Sequence, residues 1–145
     1  MHKFILMQGI PGSGKSTWAK EWVSKDTEHR VRWNRDDIRN MLGKYWIPSR
    51  EALITTLENE FVVEAVKKGY DIVIDNMNLN PKILPLYTKL VNRIDDSYEI
   101  IVEKVNTPLE VCLERDKKRE NSIGTDVIIN LYNRYKDILN SNTDI

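Results

Sequence analysis

The chain of 145 residues has little of what marks whole classes of protein. Its one cysteine, Cys112, excludes a disulfide framework and suits a reducing compartment. His2 and His29 have no ligand partners at metal-site spacing. No window approaches the roughly 18 consecutive apolar residues of a membrane span. The short apolar stretch that starts at Phe4 stops before Gly9, too soon for a signal peptide. These absences predict a cytoplasmic protein, in the host cytoplasm if its source is viral, with no membrane partner. Charge of one sign is also missing. The 22 Lys+Arg balance 22 Asp+Glu, giving zero formal net charge and a pI near 6.7. That excludes a polybasic protein gripping duplex nucleic acid by bulk electrostatics, though not a local basic site. There is no internal repeat, low-complexity tract or Pro/Gly/Ser-rich linker.

What is present reads as one ordered domain over residues 1–145, with 41% hydrophobic and 30% charged residues. Lys3–Gln8 is an apolar strand followed by a glycine-rich turn, and a helix starts at Lys15 with Trp18, Ala19, Trp22 and Val23 on one face. A short strand is predicted over 31–34, then a helix from Asp36 and Asp37 carrying Ile38, Met41 and Leu42. The longest helix is predicted over 48–68, stopped by Gly69. Residues 70–75 and 99–105 are the third and fourth strands. Asn80 and Pro81 predict a helix start running to about Asp95, and Pro108 one running through Asn121. Thr125 and Asp126 predict the cap of a last helix to about Leu139. Strands alternating with helices predict a three-layer α/β fold, a parallel sheet of about four to five strands with helices on both faces.

Gly9-Ile10-Pro11-Gly12-Ser13-Gly14-Lys15-Ser16 matches the G-x-x-x-x-G-K-[ST] phosphate loop at every fixed position, between a strand and a helix. Gly9, Gly12, Ser13 and Gly14 let backbone N–H groups turn inward around an anion, and the helix N-terminus at Lys15–Thr17 adds positive partial charge. Lys15 is suited to the β- and γ-phosphates and Ser16 to Mg²⁺. A plain glycine turn is the alternative, but strand, loop and helix together favour a nucleotide site. A phosphate loop specifies no reaction by itself. No Asn-Lys-x-Asp guanine-reading motif occurs, and the chain is short for a motor ATPase, which leaves a compact kinase.

Ligands of open α/β sheets gather at the carboxyl ends of the strands, where residues 34–39 and 75–78 should arrive. Asp36 and Arg39, three apart at a helix start, could supply a base and a cation, or simply a helix cap and a surface charge. Asp75 ends an apolar strand, suiting either Mg²⁺ support or a turn. Arg115 and Arg119 lie one helical turn apart and could serve a lid, but their run is also that of a solvated helix face. Trp18 and Trp22 suit packing on the sheet, as does Trp33, and Cys112 a core thiol. Tyr45 and Trp46 lie among arginines, a combination that suits stacking of an unpaired base.

Gly9–Ala19, Asn34-Arg35-Asp36-Asp37 with Arg39, and Asn78-Leu79-Asn80-Pro81 together resemble the 5′-hydroxyl polynucleotide kinase family, as in the kinase domain of the T-even bacteriophage polynucleotide kinase-phosphatases. The closing stretch, with its arginine pair, Gly124-Thr125 and Tyr-rich helix, is similar too. The resemblance implies a P-loop kinase fold and transfer of the γ-phosphate of ATP to the 5′-hydroxyl end of single-stranded or nicked DNA or RNA, a repair activity. It implies ATP and Mg²⁺ as cofactors, with Lys15, Ser16 and the rest of the loop, including Thr17, binding phosphates. It further implies Asp36 as general base and Arg39 on the acceptor phosphate. Arg119, with Arg115 beside it, would reach the donor phosphates. Met77 departs from the hydroxyl residue that many such kinases carry there, which leaves the roles of Asp75 and Asn76 open. No phosphatase Asp-x-Asp-x-Thr motif is present, so a free-standing kinase and a kinase domain of a longer protein are both compatible. A small-molecule kinase and a nucleotide-dependent regulatory module remain alternatives. Residues 29–50 carry six Lys/Arg against two Asp/Glu and residues 51–80 two against six, so neutrality is an average over a basic and an acidic segment.

Overall fold

The computed structural model describes residues 1–141. Strand β1 (Lys3–Gln8) leads into α1 (Lys15–Ser24), β2 (Arg30–Trp33), α2 (Arg35–Met41) and a 3-10 turn at Pro48–Arg50. Then follow α3 (Glu51–Lys67), β3 (Asp71–Ile74), α4 (Ile83–Ile94), β4 (Glu99–Lys104), α5 (Leu109–Lys117) and α6 (Thr125–Asn140). The four strands form one sheet in the order β2-β3-β1-β4. Every pairing is parallel, with Leu6 opposite both Ile74 and Val102. Parallel neighbours put the ends Gln8, Trp33, Ile74 and Lys104 on one edge of the sheet.

Strand periodicity sorts the core. Phe4, Leu6, Ile72 and Ile74 pack under α3 and α4, with Val62, Val66, Tyr87 and Val91. Ile5, Met7 and Val73 face the other way, against Ala19, Trp18 and Trp22 of α1. Fully burying a side chain such as Phe4 or Ile72 contributes about 1.5–3 kcal/mol. A third cluster of Ile10, Leu79, Cys112, Ile128 and Leu139 seats α5 and α6 beside the phosphate loop. The three-layer α/β expectation is met, with four strands.

Element ends differ from the sequence expectations where side chains capture the backbone. Asn34 is held out of β2 because its Oδ1 accepts the Asp37 N–H at 2.9 Å, capping α2. Gly69, with φ of +75°, closes α3: its N–H donates to Val66 O at 3.0 Å and that of Tyr70 to Ala65 O at 3.0 Å. Helix α4 starts at Ile83 because Asn80 first turns the chain, its Oδ1 accepting the Lys82 N–H at 3.0 Å. Helix α5 stops at Lys117, short of Asn121, because buried Asp116 draws the chain back. Its carboxylate accepts the N–H groups of Ile123 at 2.9 Å and Gly124 at 3.0 Å and the Ser122 hydroxyl at 2.8 Å. Helix α6 then begins after Gly124 without a side-chain cap. Among the described residues no helix is long and apolar enough to cross a membrane.

Candidate active site

The strand ends and the loops that follow them border an open cleft of about 1280 Å³. The phosphate loop forms one wall. Gly12 and Gly14 have φ of +83° and +103°, which only glycine adopts without strain. A Cβ on Gly9 would stand 2.6 Å from Ser13 Oγ, and one on Gly12 2.6 Å from the Cys112 carbonyl. Glycine is therefore required by packing as well as by conformation. The Lys15 ammonium is buried against the loop it would serve, donating to Gly9 O at 2.9 Å and Ile10 O at 3.0 Å. Burial lowers its pKa to about 8, against the partial support of Asp75. Thr107 Oγ1 donates to Ser13 O at 2.6 Å and Arg115 Nη1 to Gly12 O at 3.0 Å, bracing the phosphate loop from the β4–α5 connection and from α5. Thr17 is exposed at the rim.

At the floor, the Ser16 hydroxyl donates to Asp75 Oδ2 at 2.8 Å. Asp75 is fully buried, and its Oδ1 has no hydrogen-bond partner among the described residues. A hydroxyl beside a carboxylate with an orphaned oxygen is a donor set that fits Mg²⁺, which takes few protein oxygens and completes its shell with water and phosphate. Arg32 shares this floor: Nε donates to Asp75 Oδ2 at 2.8 Å, Nη2 to Ser16 Oγ at 3.3 Å and Nη1 to Asp37 Oδ2 at 2.7 Å.

Helix α2 forms the opposite wall. Asp36 Oδ1 accepts from Arg39 Nη1 at 2.6 Å and from the Tyr45 hydroxyl at 3.1 Å, while Arg119 Nη2 stands 3.8 Å from Oδ2. Arg39 is gripped from its other edge by Glu51, at 3.0 Å from Nε and 2.6 Å from Nη2. The bond to Glu51 holds the Arg39 pKa above its ordinary value, and that to Arg39 holds the Glu51 carboxyl below its own. Burial and the Asp36 charge raise the Tyr45 phenol.

The wall hangs on a buried carboxylate. Glu58 accepts from Trp33 Nε1 at 2.7 Å, Asn76 Nδ2 at 3.0 Å and the Tyr87 hydroxyl. Asn76 Oδ1 in turn accepts the Arg35 N–H at 3.0 Å, the first residue of α2, and so places the helix that carries Asp36. Asn78, at a φ of 50°, ties the next loop to Met7 O at 2.8 Å. Met77 contributes its carbonyl to the Gly9 N–H at 3.3 Å.

The structure thus gathers Lys15, Ser16, Asp36, Arg39, Asp75, Arg115 and Arg119 around one cleft. Trp18 and Trp22 pack α1 onto the sheet, and Cys112 and Trp33 are buried, as expected. Arg32, Glu51, Glu58, Thr107 and Asp116 were not singled out from the sequence. Two of them carried a signal: Glu58 lies four residues from Ile54 and Val62, and Asp116 four from Cys112, so each sits on the buried stripe of its helix. The basic stretch is also less free than its charge count suggests, since Glu51, Glu58 and Asp75 from the acidic stretch pair with Arg32, Arg35 and Arg39.

A parallel sheet whose β1 runs into a phosphate loop, facing a carboxylate and arginines across a cleft, defines a P-loop phosphotransferase site. A family model described as an AAA domain matches residues 4–137, and the chain belongs to that family, as a P-loop kinase domain within it. It is 29% identical over 135 residues to L-seryl-tRNA(Sec) kinase of Methanococcus maripaludis, covering 90% of this chain and 51% of that protein. It is 26% identical over 155 residues to a protein of Autographa californica nuclear polyhedrosis virus named for polynucleotide kinase/RNA ligase activity, covering 95% of this chain and 21% of that one. Among solved structures, a chain of the Pnkp1/Rnl/Hen1 RNA repair complex superposes with a TM-score of 0.79 and 25% identity, over 99% of this chain and 46% of that chain. The chain therefore spans about half or less of these relatives. They support a polynucleotide-kinase-like family, broader than the phage enzymes the sequence resembles.

Proposed function

We propose that this domain moves the γ-phosphate of ATP to the 5′-hydroxyl end of DNA or RNA. The observation that carries the proposal is Asp36, held by Arg39 and Tyr45 on the wall facing the phosphate loop. In transfer, Asp36 accepts the proton of the attacking 5′-hydroxyl as the new O–P bond forms. The bond between the γ-phosphorus and its bridging oxygen breaks, and ADP leaves with those electrons. Lys15 and the loop N–H groups hold the donor phosphates, and Arg115 of α5 and Arg119 of the turn after it approach them. Ser16 and Asp75 would hold Mg²⁺, which neutralises developing phosphate charge. Arg39 holds the Asp36 carboxylate in place and offers cationic charge to the acceptor phosphate. A hydroxyl on a nucleic-acid-borne group is a second acceptor class, favoured by the likeness to a seryl-tRNA kinase.

The test offers ATP with a 5′-hydroxyl oligonucleotide, a free nucleoside and a 3′-mononucleotide in parallel. The oligonucleotide should be phosphorylated far more efficiently than the nucleoside. Equal use of the nucleoside would point to a small-molecule kinase instead. ATP hydrolysis that no acceptor stimulates would point to a regulatory module.

A further inference from the structure

The segment between α2 and the 3-10 turn carries Tyr45 and Trp46 to the rim of the acceptor wall. Trp46 is 55% exposed, uncommon for a side chain that large and apolar, and it borders the same cleft as Asp36. The Arg39 guanidinium lies 5.7 Å from the Trp46 ring centroid and 5.9 Å from that of Tyr45. In its own plane that guanidinium is held by Glu51 and Asp36, so its position is set. One planar, anchored group therefore links the Trp46 ring to the carboxylate that would take the hydroxyl proton. Among the described residues no other aromatic ring stacks on Trp46.

We infer that Trp46 is a stacking platform for the 5′-terminal nucleobase of an unpaired acceptor end, a role that rests on the 5′-hydroxyl kinase proposal. The occupant follows from placement. A nucleoside whose 5′-oxygen sits at Asp36 carries its base within a sugar's breadth, a reach that takes in the part of the cleft lined by Arg39 and Trp46. Every base offers a π-face, so the platform selects for an exposed base and not for its identity. A base already stacked and paired in duplex has to be freed first, so single-stranded ends are the better substrates.

The experiment compares wild type, Trp46→Ala and Trp46→Phe on two 5′-hydroxyl oligonucleotides, one intact and one lacking only the terminal nucleobase. On the intact strand Trp46→Ala should raise KM about 5- to 150-fold with kcat nearly unchanged, the range that loss of one base–aromatic stack gives. Trp46→Phe should restore most of the affinity. On the abasic strand all three proteins should share one KM. An equal rise in KM on both strands, or a loss confined to kcat, overturns the platform. Wild-type protein that uses a free nucleoside but neither strand overturns the 5′-hydroxyl kinase proposal itself, and the platform with it.

Discussion

The two walls of the cleft are built on different principles. On the donor wall, Lys15 finds its partners five and six residues away, at Ile10 and Gly9, and the conformation is set by glycines within the same segment. On the acceptor wall, Asp36 is placed through Asn76 and Glu58, contacts 41 and 18 residues apart in the chain. The donor wall is a local backbone structure that presents N–H groups. The acceptor wall is a network of ion pairs and amide bonds that presents one carboxylate. The first can recur on any sheet with a suitable turn, whereas the second needs α2, α3 and β3 to be docked together. Asp75 on the floor joins them, accepting from Ser16 beside the donor wall and from Arg32, which also donates to Asp37 of the acceptor wall.

Breaking one wall at a time separates the two roles. Asp36→Ala should lower the rate of transfer by about 10²–10⁴-fold while ATP binding measured by calorimetry stays near wild type. If turnover survives, the base is elsewhere. Glu58→Ala leaves Trp33, Asn76, Tyr87 and Arg35 without their common partner and should cost about 3–5 kcal/mol in denaturant unfolding. A loss below 1 kcal/mol would mean that the acceptor wall does not depend on it.

Gly12→Ala tests the donor wall in the same currency. Its φ of +83° and the Cys112 carbonyl predict a loss of about 1–3 kcal/mol, with ATP affinity falling too. Full ATP affinity in that variant would show the loop to be more tolerant than its geometry states.

The smallest expected effect is a pH dependence from Lys15. Its folded pKa of about 8 lies below the ordinary 10.5, so between those values the unfolded chain binds the extra proton. The ligand-free protein should gain stability as pH rises through that window, and Lys15→Met should not. ATP needs the charged ammonium, so its affinity should fall by up to about tenfold per pH unit above 8. A flat affinity profile would place the ammonium in water.

Legibility followed the same division. The phosphate loop was readable because its chemistry lies in consecutive residues whose spacing is the mechanism. The strands were readable from their apolar runs. Asp36, Arg39 and Asp75 were candidates from residue type and expected placement at the sheet edge, whereas Arg119 stood out only through the resemblance to the 5′-hydroxyl polynucleotide kinases. Glu58 and Arg32 were not, since a carboxylate on a helix and an arginine in a short strand have no local feature that names their partners. The helix ends shifted for a related reason: Asp116 and Asn80 bind backbone groups a few residues on, and propensity does not count those bonds.

The sequence by itself determined the alternation of strands and helices, the glycine-dependent loop and the charge balance, because periodicity, φ preference and composition are properties of neighbouring residues. Only the tertiary structure decided that the basic stretch would be spent on the acidic one, that Asn76 would carry α2, and that Arg32 would bridge both walls. Those outcomes rest on groups brought within about 3 Å by packing of separate elements, where desolvation makes an unpaired donor or acceptor costly. Distance in space, which the order of residues does not state, made that choice.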